Sequence, residues 1–461
     1  MKAPRMADDA SGGMAASGSL NGAELLSRME SVPFTRWHLK PRIIMGCATF
    51  FDAFTALSIA SAVPVLRTEW ELTTLQISFL LTASYLGQIV GALVFGWIGE
   101  RIGRIKAASL ACGIMAVGDL ACALSGNFWQ LFTWRVLQGV GVGGEMPVAA
   151  TYINELSRAH GRGRFFMTYE LIFPFGLFMA AVLGALLVPV YGWQVLFVLG
   201  TIPGFIIALL ILRLPESPRW LIGQGRLKEA DAIIRQIEAS TDKRVPVATA
   251  MPAAAQKKRN WRELFSPVYL HRTLIVWVVW ATTYGVTNGM NNWMPTIYTS
   301  VYGLSLPTAL SLSLLTNGTQ ILVLIPCIFV IDIVGRRAWM TGCFIIGGLL
   351  LLVLGIFGAG SVITFGIFAT LSYGIMSTIN TVLYLYTPEI YPTRMRALAT
   401  AAATAWLRLA SAAGPTVVGL TMIFGGIQLV FLLFAGVAMI GALAATQMIE
   451  TRNRRLEEIA P

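Results

Sequence analysis

Residues 135–164 read RVLQGVGVGGEMPVAATYINELSRAHGRGR. The stretch is apolar and glycine-rich, yet it carries Arg135 and Glu145 inside its apolar part. A charge in hydrocarbon is costly and turns toward a partner or a water-filled cavity. Gly139, Gly141, Gly143 and Gly144 allow neighbouring helices to approach closely. A helix facing only lipid needs neither feature. This segment is therefore expected to be a transmembrane helix that lines an interior. It ends at Glu155 and Arg162, where the chain meets water.

Apolar runs of about 20 residues, the length that spans a bilayer, recur on both sides of it. Twelve are present: 43–66, 75–99, 106–126, 129–153, 166–190, 193–213, 273–298, 306–331, 338–359, 362–387, 398–424 and 426–448. The 461 residues are 56% hydrophobic and only 12% charged, too few charges for the surface of a soluble protein of this length. The expected fold is an all-α membrane protein of twelve transmembrane helices.

The net charge of +11 raises the question of nucleic acid, and its placement answers it. Of the 34 Lys and Arg, all but Arg67, Arg135 and Arg408 lie in the two tails or in every second loop. That is positive-inside bias, which puts both termini in the cytoplasm of a bacterial-type inner membrane. A nucleic-acid surface would gather its basic residues on one soluble face. The five cysteines all sit in apolar runs and read as packing residues. No CxxC or His cluster suggests a metal, and no nucleotide loop or nucleophile motif suggests an enzyme or a cofactor. Residues 1–40 lack a cleavable signal core, so the first span is expected to serve as the start signal.

The chain divides into a tail (1–42), six spans (43–213), a long linker (214–272), six further spans (273–448) and a second tail (449–461). The linker holds the amphipathic run RLKEADAIIRQIEA, and residues 23–40 read as a short interfacial helix and turn in which His38 is an interface anchor. The two halves repeat. Glu100-x-x-Gly103-Arg104 after the second span matches Asp332-x-x-Gly335-Arg336 after the eighth, at an offset of 232. Glu155-x6-Arg162 at the end of the fourth matches Glu389-x6-Arg396 at the end of the tenth, at 234. Such repeats, with a site at their interface, are the usual build of secondary transporters.

GWIGERIGRIK (96–106) resembles the loop signature of the major facilitator superfamily, with Glu100 where Asp is usual. RVLQGVGVGGEMPVAATYINE, LPESPRWL (214–221), YTPEIYPTRMRA (386–397) and IETRNRRLEEI resemble the sugar-porter-related group. Within it, GGExP with YTxExYPTxxR is most like the niacin-transporter, organic-ion and synaptic-vesicle branch, with aromatic-acid:proton symporters as neighbours. The resemblance covers residues 30–459. It implies two pseudo-symmetric six-helix bundles, transport by alternating access, and a monomer in the bilayer.

With a rise of ~1.5 Å per residue, Asp52 lies ~13 Å from the cytoplasmic edge, and Glu145 and Arg408 ~15 Å. Tyr284, Gln320 and Asn380 fall in or near the same layer. Polar groups from six spans at one depth point to one central site. Asp52 is the first candidate for a coupling proton, because a carboxyl withdrawn from water favours its neutral form. Glu145 is the second candidate, and a cycle without protons is the third reading. Aromatic-acid symporters resemble D-G-F-D in span 1, whereas FDAFT here keeps Asp52 and puts Thr55 in the second place. Arg135 matches an arginine that sugar porters place near their span 1 acid; it also flanks a hairpin with Asp119 and could be that acid's structural partner. Arg408 either clamps a substrate carboxylate through its planar fork or pairs with Glu145 or Glu170.

Aligned on Pro295, the sugar-porter pattern QQLxGxNxxxYYxPTI becomes TTYGVTNGMNNWMPTI. Asn288 survives, but Thr282–Thr283 and Asn292–Trp293 replace the Gln and Tyr pairs, so most sugar-hydroxyl ligands are missing. Tyr284, Trp293 and Tyr384 offer rings for a flat substrate, and Trp293 reads equally well as packing against lipid or neighbouring helices. Glu100, Arg101, Arg104, Glu155, Arg162, Asp332, Arg336, Arg337, Glu389 and Arg396 are expected to form a cytoplasmic gate. Exposed ion pairs are worth only ~0–1 kcal/mol each, weak enough to open. The expected activity is proton-coupled import of a small aromatic or pyridine carboxylate, such as nicotinate or a benzoate. Efflux of drugs or organic cations, or sugar:proton symport, is the alternative.

Overall fold

The computed structural model describes residues 21–156, 171–241, 261–357, 360–392 and 395–452. Arg162 and Glu170 lie outside the described residues. The elements in order are α1 (Gly22–Ser31), α2 (Leu39–Glu69), α3 (Thr74–Ile102), α4 (Arg104–Ala123), α5 (Phe128–Leu156), α6 (Ile172–Tyr191), α7 (Gln194–Ile211), α8 (Pro218–Gly223) and α9 (Leu227–Ala239). The second half follows as α10 (Leu270–Ser300), α11 (Leu306–Val334), α12 (Arg336–Phe357), α13 (Val362–Glu389) and α14 (Arg396–Thr446).

Each apolar run became a helix because a backbone in lipid must satisfy its own hydrogen bonds. Among the described residues, nine helices are long and apolar enough to cross a membrane. α14 counts once among them, but it breaks at Gly425 (φ −148°, ψ 16°) and Gly426 (φ 66°, ψ −168°). Gly426 sits in the left-handed region that a side chain disfavours, so α14 is two spans sharing a corner. α5 and α10 complete the twelve. They are less apolar because they carry much of the polar interior. Leu93, Leu322, Phe329 and Phe424 are exposed on the outer surface, where lipid covers them.

The spans alternate between two faces. The linker face carries α1, α8 and α9; the hairpin face carries the short α2–α3, α4–α5 and α10–α11 connections. Inside the first bundle α3 and α5 pack backbone to backbone. A Cβ at Gly139 would fall on the carbonyl of Ser84, and one at Gly143 on the backbone of Gln88.

α1 packs on the linker helices. Leu25 and Met29 join Trp220, Leu221, Ala230 and Ile234 in one apolar cluster. Arg28 bonds Asp231 at 2.7 Å and Glu238 at 2.7 and 2.9 Å. His38 is buried, with Nδ1 3.2 Å from the Thr35 N–H. The amphipathic segment at 23–40 thus buries its apolar face largely against protein.

Candidate functional site

Asp52 on α2, Glu145 on α5 and Arg408 on α14 are all buried at mid-span. Arg408 and Asp52 act on each other electrostatically without forming a contact ion pair. Arg408 Nη1 donates to Gln88 Oε1 at 3.4 Å. Asp52 Oδ1 has no hydrogen-bond partner among the described residues. Glu145 accepts from Thr49 Oγ1 at 3.3 Å.

Aromatic rings lie beside this charge. Tyr284 and Tyr384 are both within electrostatic reach of Arg408. Tyr284 stacks on Trp280 (5.5 Å between centroids, 6° between planes), and Tyr384 meets the same indole edge-on at 4.8 Å. Trp280 is fixed by its N–H, 3.0 Å from Thr387 Oγ1. Tyr384 also approaches Met146 Sδ of the first bundle at 4.0 Å. Trp293 is buried with its N–H on the Pro415 carbonyl at 3.1 Å, which is the packing role of its two readings.

The remaining polar residues divide. Asn288 donates to Ser411 Oγ at 2.6 Å, and Asn292 to the Tyr85 hydroxyl at 3.1 Å across the two bundles. Gln320 is engaged by the Tyr373 hydroxyl at 3.0 Å within the second bundle. Asn380 donates to Thr287 at 3.4 Å, and its own carbonyl oxygen has no partner among the described residues. Thr282 returns its hydroxyl to Val278 of its own helix. The bundles meet along an antiparallel seam of α3 and α14. Gln88 faces Arg408, Thr82 bonds the Ala412 carbonyl and Thr416 Oγ1 (both 2.9 Å), and Ser78 fills the place beside Gly419. This seam runs from mid-span to the hairpin face.

Arg135 and Asp119 do lie at one depth, but they do not touch. The Arg135 guanidinium donates to Gln138 Oε1, and the Gln138 amide donates to Asp119 Oδ1. Thr55 Oγ1 donates to Asp119 Oδ2 at 3.0 Å, and the Thr55 carbonyl accepts from Arg135 at 3.4 Å. All four side chains are buried.

At the linker face each bundle holds its own charge cluster. Arg104 pairs with Glu155 (2.9 Å) and Glu100 (3.0 Å); Arg336 pairs with Asp332 (2.7 Å) and Glu389 (3.3 Å). Arg101 lies over the Trp97 ring at 4.0 Å, and Arg396 Nε donates to the Tyr391 carbonyl at 3.0 Å. Two further acids complete the clusters. Glu216 accepts the N–H groups of Arg104 (3.0 Å) and Ile105 (3.3 Å), and Glu450 those of Arg336 (3.0 Å) and Arg337 (3.1 Å). Each caps the exposed N–H groups of a helix start. Burial pushes the Glu216 carboxyl up, and its backbone donors oppose that. Gly103 (φ 101°) and Gly335 (φ 96°) make the turn, and a Cβ on either would strike that carboxylate. Glu216 and Glu450 differ by 234, as do Tyr152 and Tyr386, whose hydroxyls bond the Pro215 carbonyl and the Ile449 N–H. The repeat offset was the signal that could have found them.

A family model described as sugar (and other) transporter matches residues 42–461. The niacin transporter NiaP of Acinetobacter baylyi is 30% identical over 448 residues, covering 95% of this chain and 99% of that one. The synaptic vesicle 2-related protein of Xenopus laevis is 25% identical over 458 residues, covering 93% and 81%. Among solved structures, the xylose transporter XylE from E. coli in a partially occluded inward-open conformation superposes with a TM-score of 0.70 over 91% of this chain and 99% of that one, at 20% identity. That likeness carries the fold alone. The match across nearly the whole length, on twelve spans with duplicated charge clusters, makes this chain a member of the sugar (and other) transporter family of the major facilitator superfamily: a multi-pass membrane transporter, not an enzyme.

Proposed function

We propose that the chain imports a small aromatic or pyridine carboxylate together with protons, by alternating access. The observation that carries this reading is Arg408. It is a guanidinium 8% exposed at mid-span, with one long hydrogen bond to Gln88 and no contact ion pair among the described residues, beside Tyr284 and Tyr384. A planar fork and aromatic faces together suit a ring bearing a carboxylate. The likeness to a niacin transporter supports the same class. Asn288 and Asn292 are close enough on α10 to contribute to one wall. In this reading Asp52, facing Arg408, carries a proton and so alters how strongly Arg408 holds the anion, with Glu145 as the other central acid. Arg135 serves proton handling in the first bundle.

The linker face is then cytoplasmic, in a bacterial-type inner membrane, and the two bundles at 43–213 and 273–448 are the moving units. The charge clusters around Arg104 and Arg336 stiffen the cytoplasmic rims of each bundle. The chain acts as a monomer.

The test is uptake of radiolabelled nicotinate and benzoate into proteoliposomes under an imposed pH gradient. Accumulation above protein-free vesicles that collapses with a protonophore is the expected result. Failure to move either carboxylate, with efflux of lipophilic cations or uptake of a pentose instead, overturns the reading.

A further inference from the structure

Beside the central site one buried acid, Asp119, has been given no role. Asp119 and Arg135 are each 1% exposed and of opposite sign. The strongest contact open to them is a direct two-pronged one. Gln138 stands between them instead, and the Arg135 Nε has no hydrogen-bond partner among the described residues. A buried ion pair kept for stability recovers its desolvation cost only through close contact. Holding the pair apart forfeits that gain, and the unsatisfied donor asks for a reason.

We propose that Asp119 is a second proton-carrying carboxyl of the transport cycle, kept off Arg135 by Gln138 so that it can change charge. The proposal rests on the proton-coupled reading above. The surroundings of Asp119 suit both of its states. As a carboxylate it accepts from the Thr55 hydroxyl at 3.0 Å and from the Gln138 amide. On protonation one O–H bond forms at Oδ2, the proton coming from water, and the Thr55 hydroxyl turns to accept it, since a hydroxyl both donates and accepts. Release to water on the other side breaks that bond again; no electrons move. Gly200 of α7 leaves the room required: a Cβ there would lie 2.7 Å from Asp119 Oδ2 and 3.2 Å from Thr55 Oγ1.

The charged and titratable groups around it are few. α5 supplies Arg135, Asp119's own helix supplies Cys122, and α3 supplies Tyr85 beyond Arg135. α2 presents Thr55 and, one turn away, Asp52. When Asp119 is neutral, Arg135 loses its counter-charge and acts more strongly on Tyr85. The Tyr85 hydroxyl accepts Asn292 of the second bundle and also feels Asp52. A proton on Asp119 is thereby linked to the seam between the bundles.

The test uses the full chain in lipid. Infrared difference spectra between about pH 5 and pH 9, a range that reaches carboxyls withdrawn from water, should show a carboxylic-acid carbonyl band that disappears in Asp119→Asn and survives in Asp52→Asn. Thr55→Val, which keeps the acid, should move the midpoint of that band. A gradient of one pH unit supports about tenfold accumulation per proton. With Asp52 still able to carry one, Asp119→Asn should therefore cut the accumulation of radiolabelled nicotinate about tenfold at that gradient, while nicotinate–nicotinate exchange continues near the wild-type rate. Adding Thr55→Asp, which returns an acid to the same pocket, should restore accumulation. A band set unchanged by both Asp119→Asn and Thr55→Val overturns the proposal, as does full accumulation by Asp119→Asn or loss of exchange along with it. If wild-type chain fails to accumulate nicotinate while the Asp119 band titrates, the substrate reading fails and the proton site stands.

Discussion

The two bundles share their rims and differ in their interiors. At the linker face the main charges of one cluster have counterparts in the other: Arg104 and Arg336, Glu155 and Glu389, Glu216 and Glu450. At mid-span the first bundle buries Asp52, Asp119, Arg135 and Glu145, while the second buries Arg408 among amides, hydroxyls and rings. Duplication preserved the mechanics that both halves need. The interiors were divided: buried acids on one side, a cation beside aromatic rings on the other. Arg408 meets the charge of Asp52 across the interface, so the charge state of one half is felt in the other.

The largest expected effect tests that division directly. Arg408→Ala removes a charge-assisted contact worth ~1.5–3 kcal/mol, so nicotinate should bind ~10- to 100-fold more weakly. Asp119→Asn should leave affinity within about threefold, since a group remote from the ligand forfeits no contact with it. Equilibrium binding to the purified chain checks both. Equal losses would erase the distinction between the halves, and unchanged binding in Arg408→Ala would remove the carboxylate clamp.

The seam comes next. Gly419 lies against Ser78, and a Cβ there would fall on its hydroxyl and come within 3.3 Å of Trp293. Gly419→Leu should wedge α3 from α14 at the hairpin face. Transport is expected to fall about tenfold or more, in line with the 1–3 kcal/mol typical of overpacking, while Gly436→Leu, with open space around it, has little effect. Uptake rates of the two variants decide this. Equal rates would mean that the seam does not move in the cycle.

A smaller and symmetric effect is expected at the rims. Glu216→Ala and Glu450→Ala each uncap two backbone N–H groups, a loss of ~1 kcal/mol by analogy with other helix caps. Thermal unfolding in detergent should register similar drops for both. A drop for only one would show that the rims, alike in geometry, are unequal in load.

The sequence made depth legible and left lateral position hidden. Apolar run length located all twelve spans, including the corner between 424 and 426 at which α14 breaks into two. The 1.5 Å rise placed Asp52, Glu145 and Arg408 in one layer, and hairpin symmetry placed Asp119 level with Arg135. Neither rule reports rotation about a helix axis, so nothing indicated that Gln138, one turn after Arg135, would lie between the two charges. The same blindness left Trp293 readable as either a binding ring or packing, when Trp280 is the indole that Tyr284 and Tyr384 share. Glu216 and Glu450 are a different case. Their offset was readable, but a lone acid beside a span end looks like ordinary solvent-facing charge until its backbone donors are seen.

The smallest expected effect concerns α1, the one described helix of the first half with no counterpart in the second. Arg28 ties it to Asp231 and Glu238 of α9 through partly exposed ion pairs. Pairs of that kind contribute ~1 kcal/mol or less, and the apolar contacts of Leu25 and Met29 remain when they are cut. Arg28→Ala should therefore speed amide exchange across α1 while changing uptake less than about twofold, the factor that corresponds to a few tenths of a kcal/mol. A tenfold loss of uptake would make α1 a working part of the linker-face rim. The first bundle would then carry a regulator that the second lacks, and the mechanical equivalence of the two halves would no longer hold.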